Sequence, residues 1–250
     1  MTELLDFTAL FGDLVPSRPV EHLGNSDLSF GGKIEPPLKV HEDGGENGCG
    51  GKVWIAGELL CDYLIEKSNT EGILSMSKDK LNVEEPFCNI LELGSGTGLV
   101  GLCAGFLARS KEIDAKVYTT DIEKLLELMD ANVRLNNLDQ FVFPEILMWG
   151  QPLTGKFEAD AKKKIDLILA ADCVYLETAF PLLEKTLLDL TEGSNPPTVL
   201  MSYKKRRKAD KNFFRQIRKN FVVVTIKDFA RYEHYLKQRT HLFQMIRIQN

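Results

Sequence analysis

The chain has 250 residues, 44% of them hydrophobic and 27% charged, a balance that fits one globular domain and excludes a disordered chain. No run approaches the roughly 20 apolar residues of a membrane helix; Glu3, Asp6 and Asp13 stand where a signal peptide would carry lysines; and five scattered cysteines and four histidines, without ligand spacing, exclude a disulfide framework and a metal site. The net charge of −5 is uneven, with 17 basic and 33 acidic side chains in residues 1–200 and 14 basic and 3 acidic in 201–250, so the basic end either meets an anionic partner or lines a solvated face.

Residues 1–52 are weakly patterned. Eight glycines fall between Gly24 and Gly51, and only the runs 28–30 and 38–40 offer material for a hairpin. Residues 53–67 are predicted as a helix, because Ile55, Leu59, Leu60, Tyr63 and Leu64 recur at helical spacing. The polar stretch 68–86 reads as a surface loop. Strands and helices then alternate. Strands are predicted over 87–93, 116–121, 141–149, 162–172, 197–203, 222–229 and 241–249. Helices are predicted over 99–110, 123–138, 178–193 and 209–221. This alternation means βαβ units and a mainly parallel α/β sheet. Such a sheet takes ligands at the carboxyl ends of its strands.

The first strand runs straight into Gly94-Ser95-Gly96-Thr97-Gly98. Two readings compete. Gly96 to Gly101 formally matches the dinucleotide fingerprint, but Leu99 then falls in the last glycine's place when the first glycine is set directly after the strand. The alternative is Glu92-x-Gly94-x-Gly96-x-Gly98, the cofactor loop of the seven-strand S-adenosylmethionine-dependent methyltransferases. That cofactor carries a sulfonium and an ammonium, and Glu92 offers a carboxylate beside the loop. Asp121 closes the second strand and suits a ribose diol, or else caps the following helix. The two tryptophans, Trp54 and Trp149, serve either as core anchors or as covers for an adenine face or a sulfonium. Ala171, Asp172 and Tyr175 end the fourth strand. The paired prolines with which base-methylating enzymes of this kind grip a planar amine are missing, which argues against a flipped base. A carboxylate and a ring fit an alkyl ammonium instead.

The segments VWIAGELLCDYL, LELGSGTGLVGL, TTD, LMWG, AADCVY and MSYKKRRKADKNFF together resemble the protein-lysine methyltransferases of methyltransferase family 16. The resemblance runs from Lys52 to the end and is nearest to the small fungal members that methylate elongation factor 1-alpha; residues 1–51 match only loosely, as the family's variable N-terminal hairpin. It implies the class I S-adenosylmethionine-dependent methyltransferase fold, a Rossmann-like α/β sheet of seven strands, mostly parallel with an antiparallel last strand and helices on both faces. A single methyltransferase domain is implied, with 1–52 as a variable extension and 53–250 as the catalytic core. S-adenosyl-L-methionine is implied as cofactor, touching Trp54, Gly94, Ser95, Gly96, Asp121, Trp149 and Ala171, with Glu92 and Gly98 completing the loop. Asp172 and Tyr175 match the family's acidic-x-x-aromatic motif near the acceptor lysine. The expected protein is a cytoplasmic or nuclear monomer acting on a protein, elongation factor 1-alpha, without a membrane, metal or nucleic acid. An RNA or small-molecule methyltransferase and a non-catalytic scaffold are the rival readings, each resting on the basic 201–250 segment. In the preferred reading Asp172 orients the amine, while the proton leaves to water, because a carboxylate alone raises a lysine's pKa.

Overall fold

The computed structural model describes residues 28–43, 48–70, 89–158 and 165–249. Its frame is one sheet of seven strands: β1 (Asn89–Leu93), β2 (Lys116–Asp121), β3 (Val142–Ile146), β4 (Leu167–Ala171), β5 (Thr198–Lys204), β6 (Phe221–Thr225) and β7 (Thr240–Arg247). The order is β3-β2-β1-β4-β5-β7-β6. The first five strands pair in parallel, and β7 runs antiparallel to both β5 and β6. The predicted mixed sheet is therefore the observed one.

Strand alternation builds two cores. On β1, Ile90 points into one layer while Leu91 and Leu93 point into the other; on β4, Leu167 and Leu169 oppose Ile168 and Ala170. Central strands apolar on both faces can lie only between two helical layers. Helices α1 (Ile55–Thr70), α2 (Leu99–Ser110) and α3 (Leu126–Leu135) supply the first layer, and α4 (Phe180–Leu190) and α5 (Asp210–Ile217) the second. Each fully buried leucine or isoleucine contributes on the order of 1.5–3 kcal/mol. Helix α2 is apolar all round because α1 covers the face that would otherwise meet water. No helix among the described residues is long and apolar enough to cross a membrane.

Several details differ from the sequence reading. Runs 28–30 and 38–40 form no ladder; a turn brings them together and the Leu38 N–H donates to the Leu28 carbonyl at 3.2 Å. The helix predicted from 123 starts as a 3-10 turn, Glu123–Leu125. Helix α6 (Tyr232–Lys237) was not foreseen; its six residues are too short for periodicity to register. Helix α1 continues to Thr70, so only 71–86 of the proposed surface loop lies outside the described residues, as do Phe87 and Cys88.

The strand order reverses between β1 and β4, which opens a crevice at their carboxyl ends. Every candidate side chain from the sequence lies on or beside that edge.

Candidate functional site

The glycine loop is stitched to its surroundings by hydrogen bonds. The Ser95 N–H donates to the Thr120 carbonyl at 3.0 Å, and the Thr120 N–H returns a bond to Ser95 Oγ at 2.9 Å. Ser95 is buried, so its hydroxyl joins β1 to β2 rather than facing the open edge. Asp121 accepts the Gly96 N–H on Oδ2 and the Ile122 N–H on Oδ1, both at 2.8 Å. Its carboxylate therefore holds the glycine loop and does not cap a helix. Each oxygen keeps a second lone pair, which suits a vicinal diol. Burial lifts the Asp121 carboxyl to about 6, against the pull of the Gly96 and Ile122 amides.

Glu92 has a different task from the expected one. It is 2% exposed and accepts the Gly101 N–H at 2.9 Å, fastening the first turn of α2. Burial, only partly offset by the Gly101 amide, pushes its carboxyl up to about 8. At neutral pH it is mostly protonated, so it supplies little negative charge to a cationic ligand.

Two close approaches explain the glycines. A Cβ at Gly96, whose φ is +56°, would lie 2.5 Å from the Gly50 carbonyl oxygen. A Cβ at Gly94 would lie 2.7 Å from the Trp149 ring. The loop is thus sandwiched between the indole of Trp149 and a 3-10 turn, Gly48–Gly51. That turn also presents the Cys49 carbonyl to the Trp54 indole N–H at 2.8 Å. The upstream strand-like segment is held by α3. Asn132 donates to the His41 and Thr97 carbonyls at 3.1 and 3.0 Å and accepts the His41 N–H at 2.7 Å. Asn136 makes the same reciprocal pair with Lys39, at 2.9 and 2.7 Å.

At the tip of β4 lies Asp172, a non-glycine residue with φ of +58°. Its N–H donates to the Ser202 carbonyl at 2.8 Å, and its Oδ1 accepts the Lys204 N–H at 3.1 Å. The carboxylate is not open. Arg206 grips it at two points, Nη1 to Oδ1 at 2.7 Å and Nη2 to Oδ2 at 2.5 Å. The same guanidinium lies 5.2 Å from the centre of the Trp54 ring. Tyr175 reaches across to the Cys49 side chain, with which it is hydrogen-bonded. Burial raises both the Tyr175 phenol and the Cys49 thiol, so both stay protonated. Ala171 ends β4 beside Ser202.

The structure thus gathers Trp54, Gly94, Gly96, Gly98, Asp121, Trp149, Ala171, Asp172 and Tyr175 on one edge, and sets Glu92 and the Ser95 hydroxyl beneath it. The 48–51 turn and Arg206 were missed. A signal for Arg206 exists, because β4 and β5 are neighbours and a carboxylate follows one while a basic run follows the other. Within that run Arg207 also lies 3.7 Å from Asp210, so two of its charges are already met inside the protein. Among the described residues, no cluster of three or more His, Cys, Asp and Glu side chains converges on a point.

Comparison with known proteins agrees with this geometry. The family described as lysine methyltransferase matches residues 33–220. The protein-lysine N-methyltransferase EFM6 of Saccharomyces cerevisiae is 59% identical over 95% of this chain and 97% of its own. The protein N-lysine methyltransferase METTL21A of Danio rerio is 32% identical over 84% and 83%, and the EEF1A lysine methyltransferase 3 of Mus musculus is 30% identical over 70% and 64%. Among solved structures, the METTL16 methyltransferase domain lacking its N-terminus shares the fold at 9% identity, with a TM-score of 0.52 over 79% of this chain and 84% of that one.

Proposed function

We propose that this chain, which belongs to the lysine methyltransferase family and methylates protein lysines with S-adenosylmethionine, takes elongation factor 1-alpha as its acceptor. The observation that carries the choice of acceptor is the kinship with a mouse enzyme named for that substrate. We place the reaction in the cytoplasm and assign it to a monomer.

The edge fits the cofactor chemically. Asp121 offers free lone pairs to the two ribose hydroxyls, the backbone of Gly94 to Gly96 allows close approach, and Trp54 and Trp149 offer apolar faces that exclude water. When bound, S-adenosylmethionine supplies a methyl group already activated on a sulfonium. The protein's share is then mostly alignment. Tyr175 walls the alkyl stem of the acceptor, and Asp172, at the β4 tip, sets the direction from which the amine arrives.

The test is methylation of elongation factor 1-alpha purified from a strain lacking the enzyme, with labelled cofactor and mass-spectrometric mapping. Label on a lysine is expected. Asp172→Ala should cut turnover on the order of 100-fold, the usual penalty for a misaligned reactant, while calorimetry with S-adenosylhomocysteine stays near wild type. Label on arginine, histidine or RNA would overturn the reading.

A further inference from the structure

We propose that Arg206 stays on Asp172 throughout turnover as a resident countercharge, so that the acceptor lysine is received as a neutral amine and not as an ammonium seated on a bare carboxylate. This rests on the lysine-acceptor reading above and deepens it.

The geometry carries the proposal. Arg206 and Asp172 meet through two parallel charge-assisted bonds, at 2.7 and 2.5 Å, the strongest arrangement open to a carboxylate. The Arg206 loop is itself pinned, since the Arg206 and Arg207 N–H groups both donate to Asp210 Oδ2, at 3.2 and 3.1 Å. The guanidinium also lies against Trp54. A lysine ammonium is a compact point charge with no fork to match two oxygens. To take Arg206's place it would have to break both bonds and lift the guanidinium off the indole.

Chemistry favours the same arrangement. Only the neutral amine is nucleophilic, and a free lysine titrates near about 10.4. A bare Asp172 would push that value higher. With Arg206 in place the charges at the tip cancel. The other groups facing it are Cys49 from the 48–51 turn and Cys173 and Tyr175 after β4, all three neutral; Asp210 at the start of α5, beside Arg207; Lys204 at the end of β5; and Asp121 at the end of β2, bound by two amides. None of these offers the acceptor a free anion at the β4 tip. After its proton has left to water, the amine lone pair forms the new N–C bond as the S–C bond breaks, and the positive charge passes from sulfur to nitrogen. Arg206 touches no reacting atom and is a positioning residue.

The experiment is the pH profile of kcat/KM on the protein acceptor for wild type, Arg206→Met, Arg206→Lys and the double variant Asp172→Asn/Arg206→Met, with S-adenosylhomocysteine affinity measured alongside. Arg206→Met should move the midpoint of the rising limb up by about one pH unit, with cofactor affinity unchanged. Arg206→Lys keeps the charge and should hold the midpoint near wild type. The double variant removes the uncompensated carboxylate and should bring the midpoint back. Should Arg206→Met not fold, Arg206→Gln is read in its place. A lower KM with an unmoved midpoint would mean that the substrate displaces Arg206, and an equal loss at every pH would mean a merely structural residue; either overturns the proposal. If the wild type leaves no methyl on lysine at all, it is the acceptor reading that fails.

Discussion

Two buried aspartates, each gripped by an arginine, lie along the course of α1 and do different work. Asp172 meets Arg206 beside Trp54, just before the helix opens. Asp62, two turns or about 10 Å further along the axis, takes Arg231 Nη1 at 2.6 Å and the Tyr235 hydroxyl on the same oxygen, with Lys33 3.8 Å from the other. The partners of Asp62 are side chains from separate elements, so the cluster fastens α1 to α6. At the sheet edge the carboxylates take backbone N–H groups as well: Asp121 those of Gly96 and Ile122, Glu92 that of Gly101, Asp172 that of Lys204 beside the Arg206 side chain, Asp210 those of Arg206 and Arg207. A side-chain partner joins two elements, whereas an amide partner fixes the path of a loop. Damage to the first kind should appear as lost stability, and damage to the second as lost geometry.

The largest effect should come from Glu92. Its folded pKa of about 8 lies above the ordinary 4.5, so the folded state keeps a proton that the unfolded state sheds. Stability should therefore fall as pH rises from 4.5 to 8, by up to about 3 kcal/mol at neutral pH. Glu92→Gln keeps an acceptor for Gly101 and removes that slope, so its melting temperatures at pH 5 and pH 8 should converge; a slope as steep as wild type would show that Glu92 is ionised in the fold. Next comes Asp62→Ala, which strands the Tyr235 hydroxyl and should cost about 2 kcal/mol, a drop of roughly 4–8 °C in Tm. Activity per folded molecule should not change, whereas Arg206→Met, which leaves the buried Asp172 carboxylate without its countercharge, should lower the melting temperature and also change the pH profile of activity. If Asp62→Ala melted normally but lost activity, the contrast between the two aspartates would collapse. The smallest effect concerns Asp121. If Asp121 takes the cofactor hydroxyls as proposed, they donate to its ionised form, so protonation competes with binding. Affinity for S-adenosylhomocysteine should be flat above pH 6, where the carboxyl titrates, and fall by up to tenfold per pH unit below it. Asp121→Asn should bind roughly tenfold more weakly at pH 7 and show no such dependence; calorimetry across pH 5–8 decides.

Much of this architecture is legible in the sequence because it is local. Apolar runs such as Leu167–Ala171 fit central strands covered on both faces, and a glycine loop after the first of them marks the edge where such sheets take ligands. Asp121 and Asp172 are found by the same rule, each at or just past a strand's end. The missing pieces depend on contacts between distant residues. Nothing near Cys49 says that it will meet Tyr175, and Gly50 reveals its packing only once Gly96 is beneath it. Arg206 sits in a run of five basic residues that reads as a docking patch or a solvated face, and only the pairing of β4 with β5 turns it inward. Glu92 misled because a carboxylate next to a cofactor loop looks functional until its burial is known.

The asparagine clamp on α3 has a consequence for the order in which the protein is made. Lys39 and His41 find their partners 97 and 91 residues later. A ribosome adding about 5–20 residues per second needs roughly 5–20 s to bring Asn132 into existence after His41 has been joined to the chain. Through that interval the segment of Lys39 and His41, which leads into the turn over the glycine loop, lacks the asparagines that hold it. Contacts this remote in sequence close late, so the segment leading to the cover of the glycine loop, although it precedes the loop in the chain, is among the last parts of the nascent protein to be fixed in place.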